Sequence, residues 1–303
     1  MRLDQAYIDR VLATWKLITD PIRPSRDEIA HMRRELLSDG PRPRTLVLGV
    51  TPELVDMVLD AGASRTLVME IRAEAIQAMR QLAQRPWDGA EFVLGDWRDH
   101  RPELDGQFDV VIGHGTLLFL KHPDEWRAAI EHFRRYLADG GLLILRTFLM
   151  PPGGAAFDKT YHRILDRFDR VAAGRDEESR LRLFMEATTD VRNVAILEAV
   201  LPDGSVSPKR LTDVMIWVTA DLRRRYAGQP IWDIMGPEFE TPMPEGYDEV
   251  WPLATLTWER TRDSVAACGF DVRVEFIGDR PHPGCFCVLT GKKRHGVAPE
   301  RLA

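Results

Sequence analysis

The feature that most constrains this chain is an alternation of short apolar runs with amphipathic helical patterns between residues 44 and 147. Thr45-Leu46-Val47-Leu48 stops at Gly49, and comparable runs follow at 66–70, 90–94, 108–112 and 142–147. A run this short and this uniformly apolar suits a strand of a parallel sheet covered on both faces. Helical patterns at 52–61, 73–83 and 124–137 fall between most of the runs, and that alternation predicts a doubly wound α/β sheet. Pro52 stands where the first residue of a crossover helix belongs, with Thr51 as its N-cap and Glu53 in its first turn. Asp139-Gly140-Gly141 is expected to cap the helix that precedes the fifth strand.

The rhythm is framed and interrupted by helical segments. Tyr7, Val11, Leu12 and Trp15 recur at helical spacing within 4–17, and a second helix is expected after Pro24-Ser25. Residues 151–252 read as mostly helical: Phe157, Tyr161, Ile164, Leu165, Phe168 and Val171 form one stripe. Ser207-Pro208 opens another with Leu211, Val214, Met215, Val218 and Leu222. Five prolines at 230, 237, 242, 244 and 252 predict a long structured loop. The α/β pattern resumes with a helix over 257–268, a stop at Gly269, a strand over 270–277 and an antiparallel return over 285–291. At roughly 150 residues per domain, 303 residues suit two domains or one large domain with an insertion.

Composition excludes several functions. A net charge of −6, with arginines dispersed among acids, lacks the basic field that nucleic acid rewards. The N-terminus has no unbroken apolar stretch of the signal-peptide kind, and no run is long enough to span a bilayer. The expected setting is therefore cytoplasmic, with no membrane and no nucleic-acid partner. Three cysteines, two of them as Cys285-x-Cys287, suit reduced core thiols better than a disulfide or a zinc pair. The histidines at 31, 100, 122, 132, 282 and 295 show no ligand spacing, so no metal site is expected.

Open α/β sheets bind ligands beyond the carboxyl ends of their strands. Gly49-Val50-Thr51-Pro52-Glu53 follows the first strand with one glycine where a pyrophosphate loop needs three, which disfavours a phosphate-bearing cofactor. Glu53 in the first helical turn suits an ammonium group instead. Glu70 ends the second strand 21 residues after Gly49, the spacing at which an acid accepts from ribose hydroxyls, although a solvated strand end has the same appearance. After the third strand, Asp96 offers an acceptor for an exocyclic amine and Trp97 a flat surface for a base; a capping Asp beside a buried Trp is the plainer alternative.

Together these residues resemble the class I S-adenosylmethionine-dependent methyltransferases, over 44–147 and 255–291. In that family a glycine loop follows strand one, an acid ends strand two, an Asp follows strand three, and a sixth and an antiparallel seventh strand close the sheet. Phe108-Asp109-Val110-Val111-Ile112-Gly113-His114 resembles the fourth strand, and Ala267-Cys268-Gly269-Phe270 the turn into the sixth. The first loop departs from the family: Thr51, Pro52 and Glu53 replace its later glycines, as in a minor branch with Leu-Gly-x-Thr-Pro-Glu.

The resemblance implies a seven-stranded Rossmann-like sheet over 41–150 and 253–293, an N-terminal helical cover over 1–40, and a helical substrate region over 151–252. It implies S-adenosylmethionine as cofactor, held by Gly49, Thr51, Glu53, Glu70, Ile71, Asp96, Trp97 and Gly113, and a small-molecule acceptor. Methyl transfer needs alignment more than a base. If a base exists it is expected to be His114, which alternatively packs on the cofactor or caps a turn; His162 is a further candidate. Arg146 either holds an acceptor carboxylate or lies exposed at its strand end, and Tyr161 either meets substrate or belongs to the core. The aromatic residues Trp217, Trp232, Trp251, Tyr226 and Tyr247 suit a small organic acceptor. Two other activities fit the same residues: cyclisation or lysis of the cofactor that releases methylthioadenosine, and a non-catalytic binding protein.

Overall fold

The structure, a computed structural model, describes residues 4–17, 23–149, 157–203, 205–233, 256–277 and 286–295. Helices α1 (Gln5–Leu17) and α2 (Arg26–Leu36) precede the sheet. The first half then runs β1 (Arg44–Leu48), α3 (Pro52–Asp60), β2 (Arg65–Glu70), α4 (Ala73–Arg80), β3 (Ala90–Leu94), β4 (Phe108–His114), α5 (Asp124–Tyr136) and β5 (Leu137–Phe148). Helices α6 (Phe157–Ala172), α7 (Glu177–Glu198) and α8 (Pro208–Tyr226) follow, and α9 (Trp258–Ala267), β6 (Phe270–Glu275) and β7 (Phe286–Lys293) return to the sheet.

The seven strands lie in the order β3-β2-β1-β4-β5-β7-β6. The pairings from β3 to β5 are parallel, whereas β7 is antiparallel to both β5 and β6. This is the Rossmann-like sheet with a reversed last strand that the sequence implied. Strand order reverses between β1 and β4, so the crevice at their carboxyl ends is where a ligand fits. Alternate side chains serve opposite faces. Leu46, Leu48, Leu67, Met69 and Val111 join α5 and α9 on one face, and Val47, Val68, Val110 and Ile112 join α2, α3 and α4 on the other. At the opposite strand ends Asp109 accepts from the Arg44 backbone N–H at 2.8 Å and from its guanidinium at 2.7 Å, pinning β1 to β4 in register.

Two sequence expectations need correction. The Asp139-Gly140-Gly141 run does not cap α5, which ends at Tyr136; Leu137 already pairs with Phe108, and the register slips before Val110 meets Leu142. Those glycines serve the irregular start of β5: Gly140 has φ +71°, and a Cβ on Gly141 would lie 3.0 Å from the Ala138 carbonyl. Val171 is exposed, and Ala172 takes the buried place at the end of the α6 stripe.

The segment after β5 builds its own core from Tyr161, Leu165 and Phe168 of α6, Phe184 and Val191 of α7, and Val218 and Leu222 of α8. Its long middle helix, α7, was not foreseen as one element. Buried Phe184, Ala187, Thr188, Val191 and Val194 do recur at helical spacing, but the small Ala187 and polar Thr188 weaken the apolar contrast of the stripe. The α8 start is as expected, with Ser207 accepting from the Arg210 N–H at 3.3 Å. Leu197 of α7 packs with Phe148 and Phe286 at the carboxyl end of β5, which sets this helical unit beside the crevice. The proline-rich stretch 234–252, Cys285 and the turn at 278–285 lie outside the described residues, as do Tyr247 and Trp251.

Candidate active site

The strand tips divide into two halves. On the β2/β3 side, Gly49 turns away from β1 with φ +80°, its N–H donating to the Met69 carbonyl at 2.8 Å. A Cβ there would meet the Trp97 ring at 3.4 Å and a Glu70 carboxylate oxygen at 4.0 Å. The bare backbone, the indole and the acid therefore share one small cradle, and any larger residue at 49 would fill it. Glu70 accepts from the Arg72 N–H at 3.1 Å. Burial lifts its carboxyl above the usual range, against the pull of hydrogen bonds from the Arg72 and Ile71 backbone.

Around the cradle, Ile71, Leu94 and Phe119 are exposed large apolar side chains, and Phe119 meets Trp97 edge-on with centroids 6.4 Å apart. Asp96 is engaged by Arg98, whose Nε lies 3.0 Å away, and this partner holds the carboxyl below its usual range. Arg98 reaches both Asp96 oxygens, through its backbone N–H at 2.9 Å, its Nε at 3.0 and 3.1 Å and its Nη2 at 2.6 Å, so most of the roughly four acceptor sites of the carboxylate are used. The loop carrying Asp96 and Trp97 is fixed from behind: Tyr136 of α5 accepts from the Arg101 N–H at 2.9 Å, and His132 lies 3.3 Å from the Trp97 carbonyl.

On the β4/β5 side the arrangement is buried and charged. Arg146 is fully buried, ion-paired with the fully buried Glu28 of α2 at 3.0 Å, and its guanidinium lies over the Phe286 ring at 4.3 Å. Its Nη1 is 2.8 Å from His114 Nε2, and His114 Nδ1 is 3.2 Å from Thr51 Oγ1. A guanidinium only donates, so His114 Nε2 accepts, the ring proton sits on Nδ1, and Thr51 accepts in turn. Both ring nitrogens are thereby occupied, which removes the lone pair a general base needs.

Arg146 is likewise neither exposed nor available to an acceptor carboxylate, because Glu28 already meets its charge. Tyr161 is not at the crevice: it is buried in the helical unit and donates to Asp221 at 2.7 Å. Tyr226 and Trp232 are buried in that same core, whereas Trp217 keeps an exposed edge. His162 pairs with Asp158 at 3.2 Å on the outer face of α6. Gly113 owes its identity to packing, since a Cβ would press on Thr116, Leu48 and Leu145.

Glu53 accepts from Arg23 Nε at 2.6 Å, while its Oε2 is buried without a hydrogen-bond partner among the described residues. Glu28, Arg23 and Arg98 were not foreseen, because each reaches its partner only in the folded chain; the capping pattern Ser25-x-x-Glu28 was the one local signal. A cluster of His31, Glu35 and Glu275 was also missed, because Glu275 comes from the distant β6. Their ligand atoms lie within 4.8 Å of one another. Arg273 donates to Glu35 at 2.7 Å, whereas His31 Nε2 and Glu275 Oε2 face each other at 3.4 Å, both buried without a hydrogen bond among the described residues.

Residues 50–141 match the family model described as a methyltransferase domain. Over those residues the chain is similar to methyltransferase domains. No curated protein matches the sequence at a significant level. Among solved structures, a putative Zn-dependent alcohol dehydrogenase from Rhodobacter sphaeroides is similar at 17% identity and TM-score 0.52, over 93% of this chain and 97% of that one. At that identity the likeness concerns the fold alone. An N-methyltransferase, NodS from Bradyrhizobium japonicum in complex with S-adenosylhomocysteine, shares 23% identity over 46% of this chain and 71% of that one, with TM-score 0.39. A SAM-dependent methyltransferase from Methanosarcina mazei shares 16% identity over 86% of this chain and 97% of that one, with TM-score 0.47. No helix among the described residues is long and apolar enough to cross a membrane.

Proposed function

We propose that the methyltransferase domain transfers the methyl group of S-adenosylmethionine to a small organic acceptor enclosed between the strand tips and the helical unit. The observation that carries this reading is the cradle at Gly49, where a half-buried acid and an indole face bare backbone. Glu70 accepts from the ribose hydroxyls, and Trp97 and Ile71 border the base, with Asp96 receiving its exocyclic amine. These residues would hold the nucleoside at the tips of β2 and β3.

The cofactor supplies an electrophilic methyl group that needs no further activation. What remains for the protein is alignment and exclusion of water. Phe148, Phe286 and Leu197 form an apolar wall where the helical unit meets β5, which supports an acceptor bound on that side. With His114 engaged at both nitrogens, the reading assigns no base to the chain, and a nucleophile that is neutral or already ionised suits the site. Buried Cys268 and Cys287, whose thiols burial pushes up to about 11 and about 12, suit inert thiols of a reducing, cytoplasmic setting.

Mass spectrometry of the protein with S-adenosylmethionine and a panel of small amines, phenols and carboxylates tests the assignment. Formation of S-adenosylhomocysteine with one added acceptor is expected. Release of methylthioadenosine without acceptor would replace transfer by cofactor lysis.

A further inference from the structure

The face of the sheet that α2 covers carries a row of side chains across three strands. Arg146 of β5 and Glu275 of β6 are both paired with Val288 of β7, so the three share one face, and Glu275 stands on the last strand of the sheet order. Helix α2 spans this row. Glu28 meets Arg146 at the inner end. At the outer end His31 and Glu35, one helical turn apart on the same side of α2, meet Glu275.

The polar groups at that outer end do not satisfy one another. His31 is 6% exposed, and its Nε2 makes no hydrogen bond among the described residues. It faces Glu275 Oε2 at 3.4 Å, an oxygen that is itself buried without a hydrogen-bond partner among them. Glu35 completes the set: one ligand atom from each of the three residues lies within 4.8 Å of the others. Buried polar atoms normally find partners, and two that face each other without bonding call for a third group that meets both. Metal–ligand bonds of about 2.0–2.2 Å in a tetrahedral zinc site set neighbouring ligand atoms about 3.4 Å apart, which is the separation of His31 and Glu275.

We propose that His31, Glu35 and Glu275 bind one divalent cation of the zinc class, which clips α2 to β6. One imidazole with two carboxylates suits zinc better than magnesium, which favours oxygen ligands and water, and three protein ligands leave a fourth position for water. The cation takes the lone pair of Nε2, so the ring proton sits on Nδ1. Arg34, whose Nη2 is 3.4 Å from Nδ1, then turns away, and its exposed side chain is free to do so. Arg273 lies 2.7 Å from Glu35 Oε2 and 4.0 Å from Glu275 Oε2. Its side chain is 62% exposed, and an exposed ion pair of that kind is a weak competitor for a cation. The clip does not depend on where the nucleoside binds. Because it joins the second helix to a strand near the other end of the sequence, it stabilises the folded chain whenever the cation is present.

Calorimetry on the chelator-treated full chain tests the site, with zinc chloride as probe and magnesium chloride as the hard-cation comparison. Thermal unfolding gives a second readout. One zinc per chain is expected, with magnesium far weaker, and saturating zinc should raise the Tm. His31→Gln and Glu275→Gln should each weaken zinc by at least about 10- to 100-fold, the loss caused even by removing a group that only supports a ligand. Each should also abolish the zinc-dependent rise in Tm. Glu275 is the more exposed of the two, so Glu275→Gln decides the matter if His31→Gln does not fold. Absence of zinc binding at millimolar concentration, magnesium bound as tightly as zinc, or zinc affinity unchanged in Glu275→Gln overturns the proposal and leaves His31 and Glu275 as a protonated ion pair.

Discussion

The two halves of the crevice are built on opposite principles. On the β2/β3 side the groups are half-exposed, come from sequence neighbours at strand ends, and leave apolar surface open at Ile71, Leu94 and Phe119. On the β4/β5 side four groups from α2, β5, β4 and the first loop form a buried chain with both of its charges fully enclosed. The open side suits a flat, partly apolar nucleoside, which is held by area and a few directional bonds.

If the buried side is a pre-set framework, cutting it should cost most. Arg146→Met leaves Glu28 as an uncompensated buried charge and is expected to lose about 3–5 kcal/mol of stability in denaturant unfolding. The double variant Glu28→Met with Arg146→Met should recover most of that loss, because the stranded charge is gone. Equal destabilisation in the single and double variants would remove the pair from the comparison.

The open side should respond in binding and not in stability. Glu70→Ala is expected to weaken S-adenosylhomocysteine by about 1.5–3 kcal/mol for each hydrogen bond lost. Because burial raises the Glu70 carboxyl, it takes up its proton at a higher pH than an ordinary glutamate. Affinity should accordingly fall on the acid side before other carboxylates titrate, and Glu70→Gln should abolish that limb of the profile. A wild-type profile that falls only where ordinary glutamates protonate would contradict the assignment.

The smallest effect concerns the boundary with the helical unit. Tyr161→Phe removes a donor to the buried Asp221, which keeps Arg225 at 3.6 Å. About 1–2 kcal/mol of stability should be lost with cofactor affinity and turnover unchanged; altered affinity for the acceptor would return Tyr161 to the substrate site.

Much of the open side was legible before folding. Gly49, Glu70 and Asp96-Trp97 are recognised because each closes or follows a strand, and the sheet brings successive strand ends together by a regular rule. The buried side was not legible in the same way. Arg146 reads equally as an acceptor contact or an exposed strand end, His114 as a base or a packing residue, and Glu28 draws no reading of its own. Their meaning arises from pairing across 118 residues between Glu28 and Arg146, for which no local spacing exists. In α7 the helical spacing is present, but Ala187 and Thr188 within it blunt the apolar contrast by which such a stripe is recognised.

By itself the amino-acid sequence determined the strand–helix alternation, the reversed last strand and the tips at which a ligand belongs, because those depend on apolar period and on where glycine and acids fall along each run. Only the tertiary structure decided which polar groups are enclosed, which direction each hydrogen bond runs and which candidate residues are spent on one another, because burial and donor direction are properties of neighbours that the chain brings together from far apart.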